Sequence, residues 1–469
     1  MPRTSAHRIA ALVVATAVPL LAQTPRTGLA VRSDTLPNGL AVIVVENHAV
    51  PVATAHLVFR GGAMTQTASL QGVPHLFEHM LFKAYRGSGL GDTFAAHVDA
   101  LGGSFNGATD DETVSYTLWL PSRAVGDGLS RLASLVRDPD LRASDLQTER
   151  FVVRNEMSRG ASQPTTSFRQ AMAEGLWGAW YPRKNTIGTD GALFAATIPS
   201  LREFYQHWYV PNNAALVVVG DVDPERVFGW ARSNFGRWKR AADPFAAKPV
   251  PAPPALDSIV AFVFTKDVAN VEVEVRWRGP TAVADDAGAA SLVATLFDDD
   301  ASAARHVLVH ADGPFEAYRF SYAGHRHSGE FVFRGTTSIA QLPRALDMLA
   351  LELDRLVDST SYDTLAIAAA ARRAQVDEAL LREESPSVAA VIGDAWATGG
   401  LEAVTRAAAP VTGRITGYSA SRLAAGVRRW ITGRPFVAGV LVRHADAPSA
   451  ADQLGRFVGG LRTAGAEAR

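Results

Sequence analysis

The chain has 469 residues, with 46 Lys and Arg against 47 Asp and Glu, a net charge of −1, 47% hydrophobic residues and no cysteine. Its length allows two to four domains of ordinary globular composition, and near-neutral charge favours neither nucleic acid nor an anionic membrane surface. Without cysteine, disulfides, thiolate metal sites and a lipidated N-terminal cysteine are excluded.

In chain order, Arg3, His7 and Arg8 precede an apolar run from Ile9 to Ala22. This is the charged and apolar pattern of a secretory signal peptide, and the run is shorter than the roughly 20 residues that a membrane-spanning helix needs. Residues 1–22 are therefore expected to be a cleaved leader on an exported, periplasmic or secreted protein, with an uncleaved anchor as the alternative. Leu36-Pro37-Asn38-Gly39-Leu40 followed by Ala41–Val45 reads as a hairpin, because an Asn-Gly step beside apolar residues is a turn signal.

Residues 75–79 read His75-Leu76-Phe77-Glu78-His79, an H-x-x-E-H pattern. Helical spacing puts His75 and His79 one turn apart on one face, where two imidazoles can share a Zn²⁺ ion. Glu78 sits on the adjacent flank, within reach of a water acidified by the metal. Pro74 suits a first helical turn, and Phe77, Met80 and Leu81 supply an apolar stripe for anchoring. An amphipathic helix with two surface histidines would share the pentapeptide, so the chemistry depends on a third ligand. Gly87, Gly89 and Gly91 lack the Lys-Ser/Thr of a phosphate loop and read as a flexible connection.

Leu101–Thr109, containing Gly102-Gly103-Ser104-Phe105-Asn106-Gly107, precedes Glu112–Tyr116. Turns or a small-residue strand both fit this composition. The segment Ser144–Met157 reads as a helix, with Ser144 and Gln147 as a capping box and Leu146, Val152, Val153 and Met157 facing inward. Glu149 and Glu156 are two turns apart on one face. Either can reach a metal, with the other orienting a histidine from behind. Tyr205–Asp221 ends a helix and enters a continuous apolar strand, a scaffold element in which His207 packs.

Asp243–Leu256 holds five prolines and reads as a semi-rigid linker. Beyond it, Val260–Phe264, Val271–Trp277 and Phe331–Arg334 read as strands. Asp286–Leu296, Ile339–Val357 and the stretch near Leu365–Leu381 read as helices. The halves show no sequence repeat.

Taken together, these blocks resemble the pitrilysin and mitochondrial-processing-peptidase family, the inverzincins. The family carries a third ligand in an E-x-x-x-x-x-x-E segment roughly 75–80 residues past the motif. Glu156 lies 77 residues after His79 (156 − 79), so the resemblance implies His75, His79 and Glu156 as Zn²⁺ ligands. It implies Glu78 as general base and Glu149 as the supporting acid of the catalytic set. Gly103, Ser104, Phe105 and Asn106 fall on the family's substrate-binding edge strand, where Asn106 would hold the peptide backbone.

The resemblance further implies an α+β fold. Two structurally similar α/β-layer domains with mainly antiparallel sheets, 29–242 and 257–469, would join through the linker at 243–256 and form a clamshell. The implied activity is that of a zinc metalloendopeptidase acting on extended or unfolded peptides. One departure stands out. Where two-half members carry an Arg and a Tyr that bind the scissile carbonyl, alignment on Gly313 gives His310 and Glu316; a shift brings in Tyr318 or Arg319 but not both. A related partner subunit in a hetero-oligomer is therefore expected to supply that pair. The rival expectation is a zinc-binding, non-proteolytic assembly subunit. His306 and His310, four apart without an acidic companion, are not expected to form a second metal site.

Overall fold

A computed structural model describes residues 28–85, 93–310, 312–411, 415 and 417–467. The leader expected at residues 1–22 and the glycines at 87, 89 and 91 lie outside the described residues. Two sheets organise the chain. The first contains β1 (Val31–Thr35), β2 (Ala41–Glu46), β3 (Val52–Arg60), β4 (Ser104–Thr109), β5 (Thr113–Pro121) and β6 (Ala214–Gly220), in the order β1-β2-β6-β3-β5-β4. The second contains β7 (Val260–Thr265), β8 (Val271–Arg278), β9 (Phe315–Gly324), β10 (Gly329–Thr337) and β11 (Phe436–Val442), in the order β7-β11-β8-β10-β9.

Leaving β1 aside, the two sheets have one topology. In each half the first strand runs parallel to the last (β2 with β6, β7 with β11), and every other pairing is antiparallel. The expected pair of similar, mainly antiparallel α+β leaves is thus present without a sequence repeat. The β1–β2 hairpin turns at Asn38-Gly39 as expected. Gly39 has φ +94°, a conformation that a side chain would strain, and Asn38 Nδ2 donates to the carbonyls of Phe235 and Trp238.

Strands buried on both faces read as continuous apolar runs. All seven residues of β6 (AALVVVG) and of β11 (FVAGVLV) are buried. Val42, Val44, Leu216 and Val218 face the first half's own core, together with Phe77, Met80 and Leu81 of the motif helix. Ile43, Val45, Val217 and Val219 face the other way, against Val388, Ile392 and Trp396 of helix Ser385–Ala408 from the second half. The favour is returned. Phe168, Met172 and Leu176 of helix Pro164–Trp177, from the first half, cover Val437, Leu441, Phe262 and Phe264 of the second sheet.

Polar contacts close the seam. Glu112 Oε2 and Oε1 accept the backbone N–H groups of Arg326 and His327 at 2.6 and 3.1 Å. Arg183 binds Asp111 at 2.6 Å and donates from Nε to Ser328 Oγ at 2.9 Å. Among the described residues, no helix is long and apolar enough to cross a membrane.

Candidate metal centre

Helix Val73–Lys83 begins after Gly72, whose φ of +73° turns the chain into the first turn, and Pro74 occupies that turn as expected. Phe77, Met80 and Leu81 are wholly buried, which fixes the helix against the first sheet. The opposite flank then presents His75 and His79, with ring centroids 4.8 Å apart and planes at 88°.

The second contributor is helix Ala143–Ser162. Two expectations for it are corrected. Arg142, not Ser144, precedes the first turn, and no side chain caps it; Arg142 pairs instead with Asp145 and Asp140. Val152 is 41% exposed, while Leu146 and Val153 are buried, so the inward stripe runs through 146, 149 and 153. Glu149 therefore points into the protein. It is only 4% exposed.

The two acids left open by spacing separate by geometry. Glu156 Oε2 lies 3.8 Å from His75 Nε2 and 3.7 Å from His79 Nε2. The ligand atoms of His75, His79 and Glu156 all lie within 4.8 Å of one another, the one such group among the described residues. Glu149 stands behind, its Oε2 at 3.2 Å from His79 Nδ1 and its Oε1 at 3.5 Å from Lys83 Nζ. A tetrahedral zinc with bonds of about 2.0–2.1 Å holds its donors roughly 3.4 Å apart. The two imidazole–carboxylate spacings exceed that by a few tenths of an ångström, and the whole set, spread over at most 4.8 Å, would have to draw together around the ion.

The two imidazoles sit in opposite electrostatic settings. Burial, then the neighbouring His79, push the His75 pKa down to about 4, so its ring is neutral and offers a lone pair at pH 7. Burial would lower His79 too, but the hydrogen bond it donates to Glu149 and the charges of Glu78, Glu149 and Glu156 outweigh it and raise its pKa. Burial likewise works to raise the Glu149 pKa, and His79 and Lys83 overcome it, keeping the carboxylate ionised. Three carboxylates around two imidazoles make an acidic pocket that attracts a dication. His79 has an outer partner that orients its ring; His75 Nδ1 is buried with no hydrogen bond.

Glu78 is 7% exposed, and burial raises its pKa against the hydrogen bond from Thr109. Thr109 Oγ1 donates to Oε2 at 2.7 Å, which leaves Oε1 free. A Cβ at Gly107 would sit 2.5 Å from Glu78 Oε1 and 2.8 Å from the Phe82 ring, so β4 passes directly beneath the acid. Gly107, Thr109 and Lys83 were not singled out from sequence; a glycine and a threonine two apart on a strand carry no signal without knowing what lies above them. Gly107→Ala is expected to displace the Glu78 carboxylate and lower kcat about 10–100-fold with unchanged zinc content. Steady-state kinetics and metal analysis on one preparation check this.

β4 is the open edge of its sheet, with Gly103 at its entrance and Ser104, Phe105 and Asn106 within it. Phe105 stacks on Phe82 and Phe94 in the core, whereas Asn106 is exposed on the other face. Of the residues considered for carbonyl binding, Tyr318, Glu316 and Arg319 are engaged elsewhere, and the nearby Arg305 packs on Tyr318. Arg305 Nη1 donates to the Tyr318 carbonyl at 2.8 Å and stacks on the Tyr318 ring, whose hydroxyl donates to the Phe297 carbonyl. Glu316 accepts from Asn270, and Arg319 approaches Asp298. None of these joins the metal-centre group.

Two family models match the chain. The family described as insulinase, peptidase family M16, matches residues 41–183, and the one described as peptidase M16 inactive domain matches residues 195–367. A Streptomyces coelicolor protein described as an uncharacterized zinc protease is 27% identical over 220 residues, 47% of this chain and 48% of that protein. The chain thus matches about half the length of such curated relatives. The crystal structure of a protease from Helicobacter pylori superposes with a TM-score of 0.77 at 20% identity, covering 88% of this chain and 99% of that one. The Escherichia coli periplasmic protease PqqL gives 0.74 at 14% identity, covering 92% of this chain but 50% of that one.

Proposed function

Because the chain belongs to peptidase family M16, we propose that it is a zinc-dependent endopeptidase that hydrolyses extended or unfolded peptides lying along β4. The observation that carries the reading is the convergence of His75, His79 and Glu156 beside a buried Glu78 whose second oxygen is held by Thr109. Zinc bound by the first three would supply a Lewis acid and a water whose pKa falls to about 7.

This chain's own residues do the rest. Glu149 holds the His79 ring in place. The β4 main chain, with Gly103, Ser104, Phe105 and Asn106, pairs with the substrate backbone, a contact indifferent to sequence. Glu78 Oε1 takes a proton from the attacking water and delivers it to the amine nitrogen as the C–N bond breaks, so one water is consumed per peptide bond. The match to half of a periplasmic protein twice as long supports export and a second half supplied by another chain. That chain would contribute the Arg/Tyr pair, since the Tyr318 hydroxyl is bonded to the Phe297 carbonyl here and Arg319 approaches Asp298.

The same commitment favours one rival, a zinc-binding subunit without proteolytic activity. Zinc-loaded protein incubated with an unfolded polypeptide, alone and with a related chain carrying Arg and Tyr, separates them. Fragments that chelator abolishes and zinc restores support the peptidase, and stronger cleavage in the mixture supports the partner. Equal activity without the second chain refutes the partner requirement; no fragments in either sample leaves the rival.

A further inference from the structure

Side chains along β4 alternate between faces. Phe105 enters the core, Thr109 binds Glu78 and Gly107 lies beneath it, so the odd positions mark the metal side. Ser104 and Asn106 mark the far side, as do their cross-strand neighbours Trp119 and Thr117. Thr117 meets His56 there, under helix Ser385–Ala408.

On that far face, at the Ser104 end of the strand, lies a cavity of about 490 Å³. Its floor is Val52, Thr54, Trp119 and Pro121, and its wall is the helix junction at Glu383–Pro386. Val50 and Val52, which line it, are 52% and 44% exposed and so present apolar surface to a ligand. Gly102 has no side chain and Ser104 a short one, so nothing bulky separates the indole of Trp119 from the open edge.

We infer that this cavity is a specificity subsite for a large apolar side chain of the peptide paired with β4, an inference that rests on the endopeptidase reading and narrows its substrate class. A peptide cleaved at the level of Gly107 turns the residue opposite Ser104, three positions away and about 10 Å along the strand, toward the cavity face. Its lining suits an aliphatic or aromatic group, and the exposed Glu383 and Glu384 on the wall disfavour an acidic one.

The test uses one extended peptide varied at single positions. Binding is read by fluorescence anisotropy on zinc-loaded Glu78→Gln protein, and cleavage sites are mapped with the wild type. Leu or Phe three positions from the cleaved bond, on one side of it, is expected to bind about tenfold tighter than Asp or Gly. Val52→Asp should erase that difference and Val52→Ile keep it. Equal affinities at every position, or a difference that survives Val52→Asp, overturn the subsite. Cleavage without the preference overturns the subsite alone; the preference in binding with no cleavage by the wild type, either alone or with the related chain carrying Arg and Tyr, upholds the subsite and overturns the endopeptidase reading.

Discussion

Glu78→Gln is expected to reduce peptide cleavage by about 10³-fold, within the 10²–10⁴ that a positioned acid–base group contributes, while the protein still binds one zinc. The amide keeps the volume of the carboxylate, and its carbonyl can still accept the Thr109 hydrogen bond. What it lacks is an atom that can take the proton from water at neutral pH. Because Glu78 is buried and burial alone works against its ionised form, the neutral amide should fold at least as well, so lost activity will not be lost structure. Metal analysis, a melting curve and fluorogenic-peptide kinetics on one preparation decide the matter. Residual activity within tenfold of the wild type removes Glu78 from the chemistry.

The second large effect distinguishes the two acids of helix Ala143–Ser162. Glu156→Gln should abolish co-purifying zinc and, with it, cleavage, because it removes the one carboxylate that faces both Nε2 atoms. Glu149→Gln should weaken zinc binding about 10–100-fold, the usual cost of losing a group that orients a ligand from behind. It should also free Lys83 and loosen the His79 ring. Competition with a zinc-chelating dye measures both. An emptied site in Glu149→Gln beside a filled one in Glu156→Gln would reverse the assignments and with them the placement of the substrate.

How much of this could be read from the chain follows from range. His75, Glu78 and His79 were legible because five residues on a helix fix their own relative positions, β2 and β6 because burial on both faces leaves long apolar runs, β7 because VAFVF is continuously apolar, and β8 because VEVEVRWR alternates. Resemblance to a family, not spacing, ranked Glu156 over Glu149; geometry separates them because helix Ala143–Ser162 is rotated to bury 146, 149 and 153, which also explains why Val152 was misread. β9 and β11 were not read at all, although FVAGVLV has the same uniform pattern as AALVVVG. Gly107 and Thr109 carry no local signal, since their meaning is the carboxylate above them. Least legible was the exchange of helices Pro164–Trp177 and Ser385–Ala408, which depends on faces that are distant in sequence.

That exchange makes each half the lid on the other's back. Swinging the leaves apart would wet Ile43, Val217 and Ile392 on one side and Phe168, Val437 and Leu441 on the other at the same moment. A hinge through this seam is therefore a poor way to admit a polypeptide. If a second chain supplies the Arg/Tyr pair as proposed, the molecule would act as a single jaw whose bite depends on what closes against it.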